Sequence, residues 1–189
     1  MANDMVSSND FKTGLAIEYE GNLYQILEFQ HVKPGKGQAF VRTKLRNLRS
    51  GAVTDFAFQT GIKIARANIE KKVMQYLYND GSNYSFMDMD SFEQIDIPSE
   101  RLEVEKNFLI EGMNVTIQDY NGEILGVMLP EKMALTVTES DPGVKGNTAA
   151  NARKYATLET GYRLQVPLFV EVGDRVIVNT FTGQYDSRE

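Results

Sequence analysis

One lysine in this sequence stands where it could reach outward. In Lys33-Pro34-Gly35-Lys36-Gly37, a proline that fixes its own φ and two glycines able to take φ > 0 bend the chain around a side chain with nothing beside it to pack on. Such a side chain could meet phosphate as a cation, accept a covalent extension as an amine, or act as a base. The last is the poorest chemistry, because a lysine of reference pKa about 10.4 stays protonated at neutral pH. The 189 residues include no cysteine and one histidine, His31, which excludes thiol nucleophiles, disulfides, thiolate metal sites and multi-histidine metal sites. The place of His31 on the stem leading to Lys36 favours packing or a phosphate-facing role over catalysis. No paired acids sit with a nucleophile or base, so a protein without catalytic residues, metal or cofactor is expected.

The flanking residues read as the two strands of a hairpin that holds the tip. Leu23 to Phe29 is rich in aliphatic and aromatic residues. After the tip, Ala39, Val41, Thr43 and Leu45 alternate with Phe40, Arg42, Lys44 and Arg46, the period of a strand. From Phe29 to Thr54 there are six Lys/Arg and no Asp or Glu, in a chain of net charge -6. That local reversal of sign suits nucleic-acid phosphate. A solvated strand face carrying ordinary basic residues is the alternative that charge alone leaves open.

Composition sets the frame. A hydrophobic content of 42% with 24% charged residues is that of a soluble globular protein. No stretch approaches the roughly 18 apolar residues of a membrane span, and the N-terminal residues lack the basic start and apolar core of a signal peptide. A cytoplasmic protein without membrane association is expected. Turn signals at Glu20-Gly21-Asn22, Asn79-Asp80-Gly81-Ser82, Tyr120-Asn121-Gly122-Glu123 and Thr182-Gly183-Gln184 separate short alternating runs, a hairpin pattern. Strands are predicted at 73–78, 115–117, 164–170 and 175–178, and one helix from Pro98 to Asn107, where Pro-Ser-Glu suits a helix start. Strands this short and this evenly spaced point to an all-β chain of small barrels.

Charge divides the chain into thirds. Residues 1–64 hold 8 basic and 6 acidic groups, net +2; residues 65–128 hold 5 and 12, net -7; residues 129–189 hold 7 and 8, net -1. Pieces of about 60 residues are near the lower limit for an independent core, so at least two of the three are expected to share an interface. The acidic middle should face away from phosphate or toward a basic protein.

Three colinear blocks resemble one family. Phe11 to Gly14 with Gln30-His31-Val32-Lys33-Pro34-Gly35-Lys36-Gly37 and Phe40 to Asn47 is similar to the first domain of bacterial elongation factor P. Thr138 to Gly146, running on to Ala156-Thr157-Leu158-Glu159-Thr160-Gly161 and Val166 to Val170, resembles that family's third-domain signature. Thr182-Gly183-Gln184-Tyr185 with Ser187-Arg188 resembles its C-terminal ending. The resemblance covers essentially the whole chain. It implies an SH3-like (KOW-type) barrel over 1–64, an acidic OB-fold over 65–128 and a second OB-fold over 129–189, L-shaped like tRNA. It implies a translation elongation factor that binds the ribosome, through rRNA and ribosomal proteins, between the peptidyl-tRNA and exit sites. There it would stimulate peptide-bond formation where consecutive prolines stall.

The resemblance also implies roles for residues. Lys36 would point at the acceptor end of the peptidyl-tRNA in the P site and be extended by a modifying enzyme system, as an aminopentanol-type group in relatives with this tip. Lys33, Pro34, Gly35 and Gly37 would shape the tip. Arg42, Lys44, Arg46, Gly146, Asn147, Thr148, Arg153, Lys154, Tyr185 and Arg188 would contact tRNA or rRNA, and the protein would act as a monomer. Relatives often carry Gly-Asp-Thr where this chain has Gly146-Asn147-Thr148; Asn keeps an acceptor and loses the charge. The acidic end from Asp186 to Glu189 is unlike an RNA-facing tail.

Other residues have plainer readings. Tyr76, Tyr78, Tyr84, Phe86 and Phe92 could stack on bases, but at strand spacing they read better as core. Asp88, Asp90, Glu93 and Asp96 lack the glycine and ligand spacing of a calcium loop and read as solvated surface. A swinging-arm carrier domain would also present a modified lysine on a hairpin. Such carriers flank it with Asp and small apolar residues, without a basic strand.

Overall fold

The computed structural model describes residues 4–143 and 152–189. The described residues form three antiparallel sheets linked only by turns, loops and 3-10 segments. The first contains β1 (Met5–Ser7), β2 (Ala16–Tyr19), β3 (Asn22–Val32), β4 (Phe40–Asn47), β5 (Val53–Gln59) and β6 (Lys63–Arg66), in the order β1-β6-β2-β3-β4-β5. The second contains β7 (Glu70–Asn79), β8 (Asn83–Asp88), β9 (Gln94–Pro98), β10 (Asn114–Tyr120) and β11 (Glu123–Met128), ordered β11-β10-β7-β8-β9. The third contains β12 (Lys132–Ser140), β13 (Arg153–Leu158), β14 (Arg163–Pro167), β15 (Arg175–Asn179) and β16 (Gln184–Arg188), ordered β14-β13-β12-β15-β16, with β14 curling round beside β16. The all-β class and its barrel-like sheets are as the sequence implies.

Local chemistry explains the hairpins. Asn121 and Gly122 have φ of 51° and 87°, the paired positive values of a turn whose twist matches the strands it joins. Asp119 accepts the Gly122 N–H at 2.9 Å and pins that turn. Asp80 does the same for the β7–β8 turn, accepting from the N–H groups of Ser82 and Asn83. Those bonds hold its carboxyl below the usual range, because they favour the charged form.

Alternation then sorts side chains to the cores. On β4, Val41, Thr43 and Leu45 are buried, and Val41 and Leu45 pack with Phe11, Ile17, Ile26, Phe58 and Ile64. The Thr43 hydroxyl satisfies itself by donating to the Phe56 carbonyl at 2.8 Å. Each large aliphatic or aromatic side chain buried this way contributes about 1.5–3 kcal/mol. In the third sheet, Leu135, Val137, Leu158, Val166, Val176 and Val178 form the core, joined by Phe108 from the segment after β9.

The chain forms two compact units. One is Met1–Lys71 with Gln118–Gly126, the other Lys72–Ile117 with Val127–Glu189. In the first unit Leu125 packs with Leu23 and Ala67, Tyr120 donates its hydroxyl to Glu18 at 3.0 Å, and Arg49 forks onto Glu123 at 2.8 and 3.0 Å. Burial and the bond to Glu18 push the Tyr120 phenol up. In the second unit, Phe108 meets Tyr162 edge-on with centroids 5.1 Å apart, so residues from the middle third of the sequence complete the core of the last.

Two expected elements differ. From Pro98 to Asn107 there is no α-helix, only 3-10 turns at Ser99–Arg101 and Glu105–Asn107. The Leu102 and Phe108 N–H groups donate three residues back, to the Ser99 and Glu105 carbonyls, which closes two separate 3-10 turns in place of one helix. The strand predicted over 164–170 stops at Pro167. The chain turns there, with the Val170 N–H donating to the Pro167 carbonyl at 3.2 Å, and Val170 enters the core.

Candidate functional site

The β3–β4 hairpin is the longest two-stranded ladder that the site uses. Its register runs from Tyr24↔Asn47 to Val32↔Phe40, with an irregularity between Ile26 and Glu28. That extra residue puts Glu28 and Gln30 on the same outer face as Arg42, Lys44 and Arg46. Beyond Val32 and Phe40 the chain leaves the ladder. Lys33, Pro34, Gly35, Lys36 and Gly37 are all exposed, and Lys36 makes no hydrogen bond or ion pair with any described residue. Gly37 alone of the two tip glycines needs the left-handed side, at φ 109°, a value that strains any residue with a Cβ. The stem below the tip is stiffened by the Phe29 and His31 rings, edge-on at 5.9 Å, so His31 packs within its strand.

The outer face is less uniformly basic than the sequence segment. Lys44 pairs in register with Glu28 on one side and Asp55 on the other, and its ammonium lies 3.7 Å from Glu28. Arg42 and Arg46, set opposite Gln30 and Gln25, have no carboxylate beside them in the register and keep their charge available. A shallow depression of about 450 Å³ beside the stem is lined by Glu28, Arg42, Lys44 and Asp55 among others; it is mixed in sign. Arg49, counted in the basic run, is held by Glu123 and the Gly21 carbonyl, which holds its guanidinium in charged form. Nothing in the sequence near Arg49 marked Glu123, 74 residues on, as its partner.

The residues expected to contact RNA in the last third are not brought together as a free basic face. Gly146, Asn147 and Thr148 lie outside the described residues. Arg153 opens β13 and is exposed, but Lys154 points inward: its side chain is 5% exposed and its ammonium sits 3.2 Å from Glu171. Strand alternation turns Lys154 into the sheet, toward Glu171 and away from the outer face. Tyr185 is half-buried against the third core. Arg188 lies over the Phe169 ring at 5.6 Å, with Asp174 at 3.9 Å. The acidic ending is bound by the chain's own cations, Asp186 by Lys132 at 2.9 Å and Glu189 by Arg175. The Lys132 contact holds the Asp186 carboxyl low.

The plainer readings divide. Tyr76, Tyr84 and Phe86 are core, whereas Tyr78 and Phe92 are exposed. Asp88 caps its own turn, accepting from Asp90 and Ser91 N–H groups, and Asp96 accepts from the buried Ser85 hydroxyl at 2.5 Å. Among the described residues no group of three or more His, Asp or Glu could hold a metal ion, and no helix is long and apolar enough to cross a membrane.

With this geometry in place, comparisons with known proteins agree along the whole chain. Residues 7–64 match the model of the elongation factor P (EF-P) KOW-like domain, residues 69–127 that of the elongation factor P (EF-P) OB domain, and residues 133–188 that of elongation factor P, C-terminal. Among solved structures, the eukaryotic translation initiation factor 5A from Methanococcus jannaschii superposes with TM-score 0.53 at 24% identity, covering 66% of this chain and 94% of its own. A translation initiation factor eif-5a family protein from Naegleria fowleri ATCC 30863 does so with TM-score 0.53 at 17% identity, covering 67% of this chain and 96% of its own. These two likenesses speak to the fold.

Proposed function

We propose, from the premise that this chain belongs to the elongation factor P family of translation elongation factors, that it binds the ribosome between the peptidyl-tRNA and exit sites and relieves stalling at consecutive prolines through Lys36. The observation that carries this reading is the pairing of a side chain without a partner among the described residues and a long, registered stem. A partnerless lysine on a rigid support is suited to positioning a substrate. Proline is a slow substrate because its ring restrains φ and its nitrogen. Relieving a stall of about a hundredfold requires about 2.7 kcal/mol, well within the roughly 7–11 kcal/mol that orientation supplies in favourable cases. Steadying the peptidyl-tRNA end therefore suffices without proton transfer.

A covalent extension on Lys36 lengthens its reach, and the exposed tip leaves room for a modifying enzyme system. The intact mass of protein from its native host measures that extension directly. Of the described residues expected to contact RNA, Arg42 and Arg46 on the outer face and Arg153 at the start of β13 have no carboxylate partner and are offered to tRNA or rRNA phosphate; Lys44 is shared with Glu28. The protein acts as a monomer in this reading. The deciding experiment is reconstituted translation of a consecutive-proline message, comparing the natural protein with Lys36→Ala. Full relief by the variant at the natural rate would falsify the assignment.

A further inference from the structure

Among the described residues, β5 is an outer strand of the six-stranded sheet and pairs with β4 alone. Its parity follows from the two bonds that bracket the ladder: Asn47 N–H donates to the Ala52 carbonyl and Thr60 N–H to the Ala39 carbonyl. In an antiparallel pair, bonded and non-bonded positions alternate. Thr54, Phe56 and Phe58 thus turn their backbone groups to β4, while Val53, Asp55, Ala57 and Gln59 turn theirs outward. The Gln59 carbonyl accepts the Ser8 hydroxyl at 2.8 Å, which confirms the parity and closes that end. Val53, Asp55 and Ala57 remain as an open edge on a strand whose residues are exposed except Phe58.

The side chains along this edge specify a pattern. On one face Ala57 stands beside Arg42, Asp55 beside Lys44, and Val53 beside Arg46. Ala57 and Val53 bring no charge to the two arginines. An added strand would set one residue opposite each, with a long carboxylate able to reach across to Arg42 or Arg46. Opposite Asp55 a cation fits. On the other face the added strand meets Phe56, which is 36% exposed and leans on Tyr19 at 5.2 Å, so apolar side chains fit there. A second copy of this chain fits poorly, because antiparallel pairing centred on Asp55 opposes two like charges.

We propose that the open edge of β5 receives an extended segment of a partner protein, by strand addition, with the alternating pattern acidic, apolar, basic, apolar, acidic. The proposal does not depend on the role of Lys36. An occupant and RNA would compete for Arg42 and Arg46, so a segment bound here masks that face until it leaves.

The test titrates the full chain with the peptide Thr-Glu-Val-Lys-Val-Glu-Thr in the millimolar range, read by amide NMR and hydrogen exchange. Shifts and slowed exchange at the Val53, Asp55 and Ala57 amides are expected. The charge-swapped peptide Thr-Lys-Val-Glu-Val-Lys-Thr should bind about fivefold more weakly, the scale of two exposed ion pairs. Ala57→Pro removes an outward N–H and leaves the β4 ladder whole, so it should abolish binding and leave stall relief unchanged. The double variant Arg42→Glu with Arg46→Glu should reverse the peptide preference, and decides the matter if the proline variant misfolds. Unmoved edge amides, equal binding of the two peptides, or concentration-dependent shifts at the same amides without peptide would each overturn the proposal.

Discussion

Lys36 and Lys154 lie in the first and third of the matched domains, and by composition both are candidates for phosphate. Their surroundings use them in opposite ways. Lys36 leaves a registered stem at a bend where neither neighbour can pack on it, so its charge faces solvent. Lys154 is the second residue of a strand, and alternation carries it inward, where its stem joins the sheet interior and its ammonium finds Glu171. The same division separates Arg42 and Arg46, free on the outer face, from Arg49 and Arg188, each held by a carboxylate. A basic residue is available to an external anion only where the fold has given it no internal one.

Removing each lysine in turn tests that contrast. Lys36→Ala should produce the largest effect, loss of most stall relief in reconstituted translation, a drop of tenfold or more corresponding to about 1.4 kcal/mol or more, with an unchanged melting temperature. Lys154→Ala should do the reverse: stall relief at normal rate per folded molecule, but stability lower by about 1–3 kcal/mol in denaturant unfolding as the buried stem is removed. Lys154→Met keeps the stem, and because Glu171 is 72% exposed its carboxylate stays solvated, so the loss should be under about 1 kcal/mol. If Lys154→Ala were silent in unfolding yet impaired translation, the distinction drawn between the two lysines would collapse.

The tip offers a finer cut. Gly37→Ala places a Cβ at φ 109° and should distort the presentation of Lys36, lowering stall relief severalfold, while Gly35→Ala meets open space at an ordinary φ and should have little effect. Equal losses from both would mean that the tip is too loose for backbone shape to matter.

The smallest expected effect concerns acid. Asp80 and Asp88 are held low by backbone N–H groups. With folded values below the unfolded value of about 3.9, they contribute stability that is complete above that value and is lost as pH falls through the folded ones. Melting temperature should therefore decline below about pH 4, and Asp80→Asn, which retains an acceptor for the turn, should flatten that decline.

Much of this was legible in the residues, for identifiable reasons. The turns at Glu20-Gly21 and Asn121-Gly122 require positive φ that few residues accept, so their sequence fixes them locally. The burial of Val41, Thr43 and Leu45 follows from a period of two. The tip announces itself because proline and glycine have local consequences. The Pro98–Asn107 segment misled because helix-start chemistry is also local, whereas the chain closes there as two separate 3-10 turns and leads Phe108 into the core of the third sheet.

Sequence alone determined the hairpins, the alternating faces and the isolation of Lys36, since each depends on backbone sterics within a few residues. Tertiary structure alone decided which cations remain free. The partners of Arg49, Lys132 and Lys154 lie 74, 54 and 17 residues away, and whether a charge is spent internally is set by distances that no local pattern encodes.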